Sequence, residues 1–123
     1  MPDPRSDEGV LRGKFMLIFR GGAVARRDLS PSELQAHVEK WYRWSGELAR
    51  QGRGNAATAL GNRGAAVRGR DRVVTDGPYA ESKDLVTGSM IVEAACLEDA
   101  VEVACTCPVY EFGGSVEVRP VQD

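Results

Sequence analysis

Lys14–Phe19 reads KFMLIF, and this short run decides how the chain must fold. In an extended strand Phe15, Leu17 and Phe19 point one way, while Met16 and Ile18 point the other. Apolar residues on both faces predict a central strand with a covering layer on each side. Moving along the chain, GSMIVEA (Gly88–Ala94) repeats the pattern, with Met90, Val92 and Ala94 opposed to Ile91. GGSVEVRPV (Gly113–Val121) closes as a strand with Val116 and Val118 on one side and Glu117 and Arg119 on the other.

Two helices separate these strands. Ser30-Pro31 supplies an N-cap with proline at the first helical position, and Glu33 completes a capping box. Leu34, Val38, Trp41, Ser45 and Leu48 then fall on one stripe, and Gly52 is a natural stop. LEDAVEVAC (Leu97–Cys105) predicts a shorter helix with Leu97, Val101 and Ala104 on its apolar stripe, ended by Pro108. Residues 55–75 suggest two or three short strands, including a hairpin that turns near Gly69–Asp71. The order strand, helix, strands, strand, helix, strand predicts an α+β, ferredoxin-like fold: an antiparallel sheet with two helices on one face. Helices cover one sheet face only, so the apolar residues of the other predict a homodimer that forms through the sheets.

The chain has 123 residues, 42% apolar and 28% charged, as expected for one soluble domain with a real core. Residues 1–12 are rich in proline and charge and read as a flexible N-terminal tail, leaving 13–123 as the domain. A formal net charge of −2 argues against direct nucleic-acid binding. The polar N-terminus and the lack of a long apolar run argue against a secretory signal and a membrane span. Cys96, Cys105 and Cys107 are an odd count, which fits free thiols in a cytoplasm. Their spacing lacks the pairs of a zinc site, so no metal is expected. No cofactor is expected either: Gly52–Ala57 imitates a dinucleotide fingerprint but follows a helix and precedes a strand.

Chemistry concentrates in VTDGPYAESKD (Val74–Asp84). Asp76-Gly77-Pro78 is turn chemistry, and Asp76, Tyr79, Glu81 and Lys83 stand close by in sequence. If the segment after Tyr79 is extended, Glu81 and Lys83 share a side. A lysine beside carboxylates can bind an anion or tune a general base, and it can equally be a structural ion pair. Glu117 and Arg119 share a face of the last strand, either lining the same cleft or pairing across strands. His37, the only histidine, is either an acid–base group or a half-buried ring packed on Trp41.

VTDGPYAESKD, GSMIVEA, LEDAVEVA and GGSVEVRP together resemble the YCII-related proteins of the DGPF type, over Lys14 to Val121. The resemblance implies a ferredoxin-like fold of the dimeric α/β-barrel group. The wider group includes proteins like muconolactone isomerases, dehalogenases and monooxygenases, and some DGPF-type proteins stand beside sigma factors of the extracytoplasmic-function kind. Some YCII-type proteins carry a histidine on the first helix that pairs with an aspartate. His37 lies about one turn before that position, which Trp41 occupies here. Thr87-Gly88-Ser89-Met90 stands where the pattern has Gly-Gly and aromatics, and Arg70-Asp71-Arg72 where it has Asp-Gly.

The expectation is a cytoplasmic homodimer that binds or transforms a small molecule in a polar cleft by metal-free acid–base chemistry. Asp76 would be the base with His37 as a second catalytic group, and Tyr79, Glu81, Lys83, Glu117 and Arg119 would bind substrate. The alternative is a non-catalytic regulatory module whose partner is a sigma factor.

Overall fold

A computed structural model describes residues 13–26, 28–55, 57–61, 63–77 and 83–122. β1 (Gly13–Arg20) is central, as its two-faced pattern requires: it pairs antiparallel with β5 (Val86–Ala94) on one side and β6 (Ser115–Pro120) on the other. β2 (Thr58–Ala59) joins the far side of β5, giving the order β2-β5-β1-β6. The helices α1 (Pro31–Arg50) and α2 (Leu97–Cys105) both pack on the face that presents Phe15, Leu17 and Phe19. This is the ferredoxin-like α+β architecture. β3 (Gly64–Arg68) and β4 (Val73–Gly77) form a separate two-stranded sheet between β2 and β5. Gly69 and Arg72 take positive φ in their connection, where the sequence places the turn.

Ser30 caps α1 as predicted. Its hydroxyl accepts from the Glu33 N–H at 3.1 Å, and Glu33 accepts from the Ser30 N–H at 3.0 Å. The buried face of α1 is rotated from the predicted stripe, however. His37 and Leu48 are buried and Trp41 and Trp44 pack against the core, while Leu34 and Val38 remain exposed. On α2 Ala104 is buried as expected, but its buried neighbours are Ala100 and Val103, while Leu97 and Val101 are exposed. Small side chains bring α2 close to the sheet, against the fully buried Ala94. Among the described residues no element packs over the second face of β1: Met16 and Ile18 are half-buried and Ile91, opposite Met16, is exposed.

Pro108 ends α2 but also begins a 3₁₀ turn, Pro108–Phe112, in addition to the expected elements. The Tyr110 hydroxyl fixes it by donating to the Ala104 carbonyl at 2.9 Å. Beyond it the chain folds back tightly at Gly114. An added Cβ there would stand 2.3 Å from Val109 Cγ2, 2.8 Å from the Val109 oxygen and 2.9 Å from the Arg20 oxygen. Backbone atoms cannot retreat as a flexible side chain can, so Gly114→Ala is expected to cost about 3 kcal/mol in urea unfolding. At Gly46, in the middle of α1, such a Cβ would meet nothing within 4 Å beyond the helix's own neighbouring backbone. Gly46→Ala is expected to stabilise by about 0.5–1 kcal/mol in the same assay.

Candidate functional site

Of the residues of the predicted polar cleft, Asp76 stands on the two-stranded sheet and Glu117 and Arg119 on the four-stranded one. Asp76 lies within β4, in register with Ala65 of the hairpin, and Pro78, which completes Asp-Gly-Pro, lies outside the described residues. Glu117 and Arg119 lie on β6, in the main sheet. Glu117 accepts from Arg20 Nη1 at 2.6 Å, and Arg119 Nε approaches its other oxygen at 3.9 Å. These two share a face as predicted, and Glu117 pairs with both Arg119 and Arg20. Lys83 is exposed in the turn before β5; Tyr79 and Glu81 lie outside the described residues.

A cavity of about 290 Å³ opens elsewhere, between α1 and the end of the sheet. Phe19, Gly88 and Ala59 form its floor, Val38 and Trp41 its roof. Its shape begins with a β-bulge. The β1–β5 register shifts between Phe19 and Arg20, so that Thr87 is the extra residue. Thr87 is buried and its hydroxyl donates to the Gly21 carbonyl at 3.0 Å. The Gly21 N–H in turn donates to the Leu85 carbonyl at 2.9 Å. These bonds hold the chain at Gly21 and Gly22 as a cavity wall, and Gly22 has a φ of 80° that only glycine adopts readily.

His37 lines this cavity with only 3% of its surface exposed. Trp41 Nε1–H donates to His37 Nε2 at 2.9 Å. Indole nitrogen is a donor only, so Nε2 must be the acceptor. The ring hydrogen therefore sits on Nδ1, which donates to Glu111 Oε1 at 2.8 Å. Lys40 bonds the other oxygen of the same carboxylate. The Lys40 and His37 bonds hold the Glu111 carboxyl below its ordinary 4.5. Phe112 lies edge-on to the imidazole, with ring centroids 4.8 Å apart.

The His37–Glu111 pair was half legible. His37 was singled out, but its carboxylate partner comes from a 3₁₀ turn 74 residues away. The proline at Pro108 and the αL glycine at Gly113 mark that turn's two ends. The cysteines take no part: burial pushes the Cys107 thiol up to about 12, Cys105 is exposed and Cys96 is half-buried. Among the described residues no group of three His, Cys, Asp or Glu side chains could hold a metal ion. Nor is any described helix long and apolar enough to cross a membrane.

Compared with known families, residues 15–123 match the model of the YCII-related domain. No curated protein matches the chain.

Glu111 also makes a pH test of the site. Its pKa is lowered in the folded chain, so the stability it contributes is present above 4.5 and is lost as pH falls through the lower folded value. Glu111→Gln is expected to be less stable than wild type at neutral pH. The gap in urea midpoints should close below pH 4.5; a gap constant with pH would mean that the carboxylate charge is not involved.

Proposed function

The chain belongs to the YCII-related family, and from that premise we propose that it binds a compact, mainly apolar small molecule in the cavity beneath α1. His37 and Glu111 would be its proton-handling pair. One observation carries this reading: the cavity wall is apolar apart from a few polar groups, and its buried titratable group is an imidazole held in one tautomer by a carboxylate. The volume of about 290 Å³ stands at the lower end of ligand pockets, which begin at about 300 Å³. Buried and polar, Thr87 is already committed to the Gly21 carbonyl, which leaves His37 for chemistry.

When the Trp41 indole turns away, Nε2 has a lone pair that can take a proton from a bound molecule. Nδ1–H stays on Glu111, whose negative charge steadies the imidazolium that forms. The reaction class is then proton abstraction, as in an isomerisation or elimination, with His37 as base in place of Asp76. A homodimer through the open sheet faces belongs to the same proposal. Met16, Ile18 and Ile91 supply apolar area there, and Arg20, Glu117 and Arg119 supply charges of both signs that a two-fold axis can match.

Ligand-observed NMR with phenol and cyclohexanone as probes tests the cavity. Ala59→Trp fills it from an exposed lining position and is expected to weaken probe binding at least tenfold, with Asp76→Asn and Glu117→Gln unchanged. Equal binding by wild type and Ala59→Trp would overturn the cavity reading. If the wild type took up no probe at all, the weight would pass to a protein-contact role such as a sigma-factor partner.

A further inference from the structure

The bond between Trp41 and His37 keeps the cavity's imidazole covered, and the chemistry needed to open that bond narrows the ligand. An imidazole nitrogen that carries no hydrogen has a single lone pair in the ring plane and accepts one hydrogen bond. At His37 Nε2 this lone pair is taken by Trp41 Nε1–H at 2.9 Å, while Nδ1–H is held by Glu111 at 2.8 Å. Thr87, the other buried polar side chain, donates to the Gly21 carbonyl. Half-buried Ser45 donates to the Trp41 carbonyl at 3.0 Å. No buried side chain among the described lining residues then has a free donor hydrogen, and the imidazole lone pair is shielded.

Charge is missing from the wall as well: among the described residues that line the cavity none is Lys, Arg, Asp or Glu. Lys40 bonds Glu111, and Arg26 lies over the Phe112 ring and pairs with Asp28 at 2.7 Å. A carboxylate or phosphate would therefore be desolvated without a counter-charge, which selects an uncharged ligand. Once the indole parts from the imidazole, Nε1–H needs an acceptor and Nε2 needs a donor, because burying either unpaired is costly. A ketone oxygen can only accept, so it serves the indole and leaves Nε2 bare. A hydroxyl serves both: its oxygen accepts from Nε1–H and its hydrogen goes to Nε2, through two bonds of about 2.8 Å. The indole is the ring that yields. The imidazole is held by Glu111 and by the edge of Phe112, whereas the indole meets Phe19 and Trp44 edge-on and borders the open volume.

We propose that the ligand is an uncharged hydroxyl compound whose O–H inserts between Trp41 Nε1 and His37 Nε2, and that Trp41 is the residue that selects it. This rests on the cavity reading above and narrows it to one functional group. The inserted hydroxyl aims its proton at the base. When that proton passes to Nε2, Trp41 Nε1–H remains on the oxygen that gains the negative charge, and Glu111 holds the imidazolium. One O–H bond breaks and one N–H bond forms, with no other change.

Cyclohexanol and cyclohexanone test this, because they share a six-membered ring and differ in the hydroxyl. In isotopically labelled protein the Trp41–His37 bond is read by NMR from the scalar coupling between its two nitrogens. The chain has two tryptophans, so Trp44→Phe assigns the indole signal of Trp41. The coupling is expected in the free protein, is expected to persist in excess cyclohexanone, and should vanish when cyclohexanol binds. Cyclohexanol should also bind about tenfold more tightly than cyclohexanone in ligand-observed titrations, as the pairing of one further buried group predicts. A coupling absent from the free protein, one that survives bound cyclohexanol, one that cyclohexanone also removes, or equal affinities would overturn the proposal. In each of those cases, probe binding that Ala59→Trp still weakens leaves the cavity reading standing, so that only the hydroxyl reading falls. Binding of neither probe removes both.

Discussion

A buried imidazole must satisfy both of its nitrogens, and that requirement organises this molecule. His37 has only 3% of its surface exposed, so Nδ1–H needs an acceptor and Nε2 a donor from the protein itself. Glu111 and Trp41 supply them. Trp41 is one helical turn along α1, but Glu111 comes from the far end of the chain, so the pair ties α1 to the segment after α2. Lys40 reinforces the tie from the outside. Trp44 makes a parallel connection by donating to Thr106 at 2.8 Å, with Thr106 itself bonded back to the Val103 carbonyl. Leaving either ring nitrogen unmatched would cost roughly 1–3 kcal/mol, which is large against the stability of a single domain.

The same constraint explains why a cavity exists. α1 is fixed on its His37, Trp41 and Trp44 side, and the aromatic rings meet edge to face: Phe19 with Trp41 at 5.0 Å and Trp41 with Trp44 at 5.5 Å. With the helix anchored by these large groups, its adjoining flank at Leu34 and Val38 stands off the sheet instead of collapsing onto it. Below, small residues (Ala57, Ala59 and Gly88) do not fill the gap. Gly88 has no freedom to be larger, since a Cβ would meet the Thr58 oxygen at 2.5 Å. The empty space thus follows from a close strand pairing below and a rigid polar anchor to one side.

Much of the fold was legible because its signals are local. The capping box of Ser30 and Glu33, the two-faced strand at Phe15–Phe19 and the Gly69 turn each depend on neighbours in sequence, and each stands where the residues place it. The helix faces were not legible to the same degree. Hydrophobic size favours Leu97 and Val101, whereas close approach to the sheet favours Ala100 beside the expected Ala104, and only the tertiary packing decides between them. Asp76-Gly77 reads as a turn from propensity, yet pairing with Ala65 and Gly64 holds both in a strand. The candidate site suffered most. A cluster of charges near Asp76 stands out in the sequence, while the His37–Glu111 pair is assembled from distant segments and leaves no spacing to read.

The strand order has a kinetic consequence. β1 lies between β5 and β6, and its register sets Phe15 opposite Val92 and Pro120. Neither hairpin partner is adjacent in sequence, so the central strand must remain unpaired during synthesis until more than half of the chain is made. Loop closure over such spans is entropically expensive and slows the search for the native pairing. Its apolar residues are exposed throughout that interval, when a nascent chain is most open to chaperones and to misassociation. By contrast β3 and β4 close over a short local turn and can form at once. The topology therefore predisposes the chain to an assembly order in which the peripheral hairpin precedes the sheet centre.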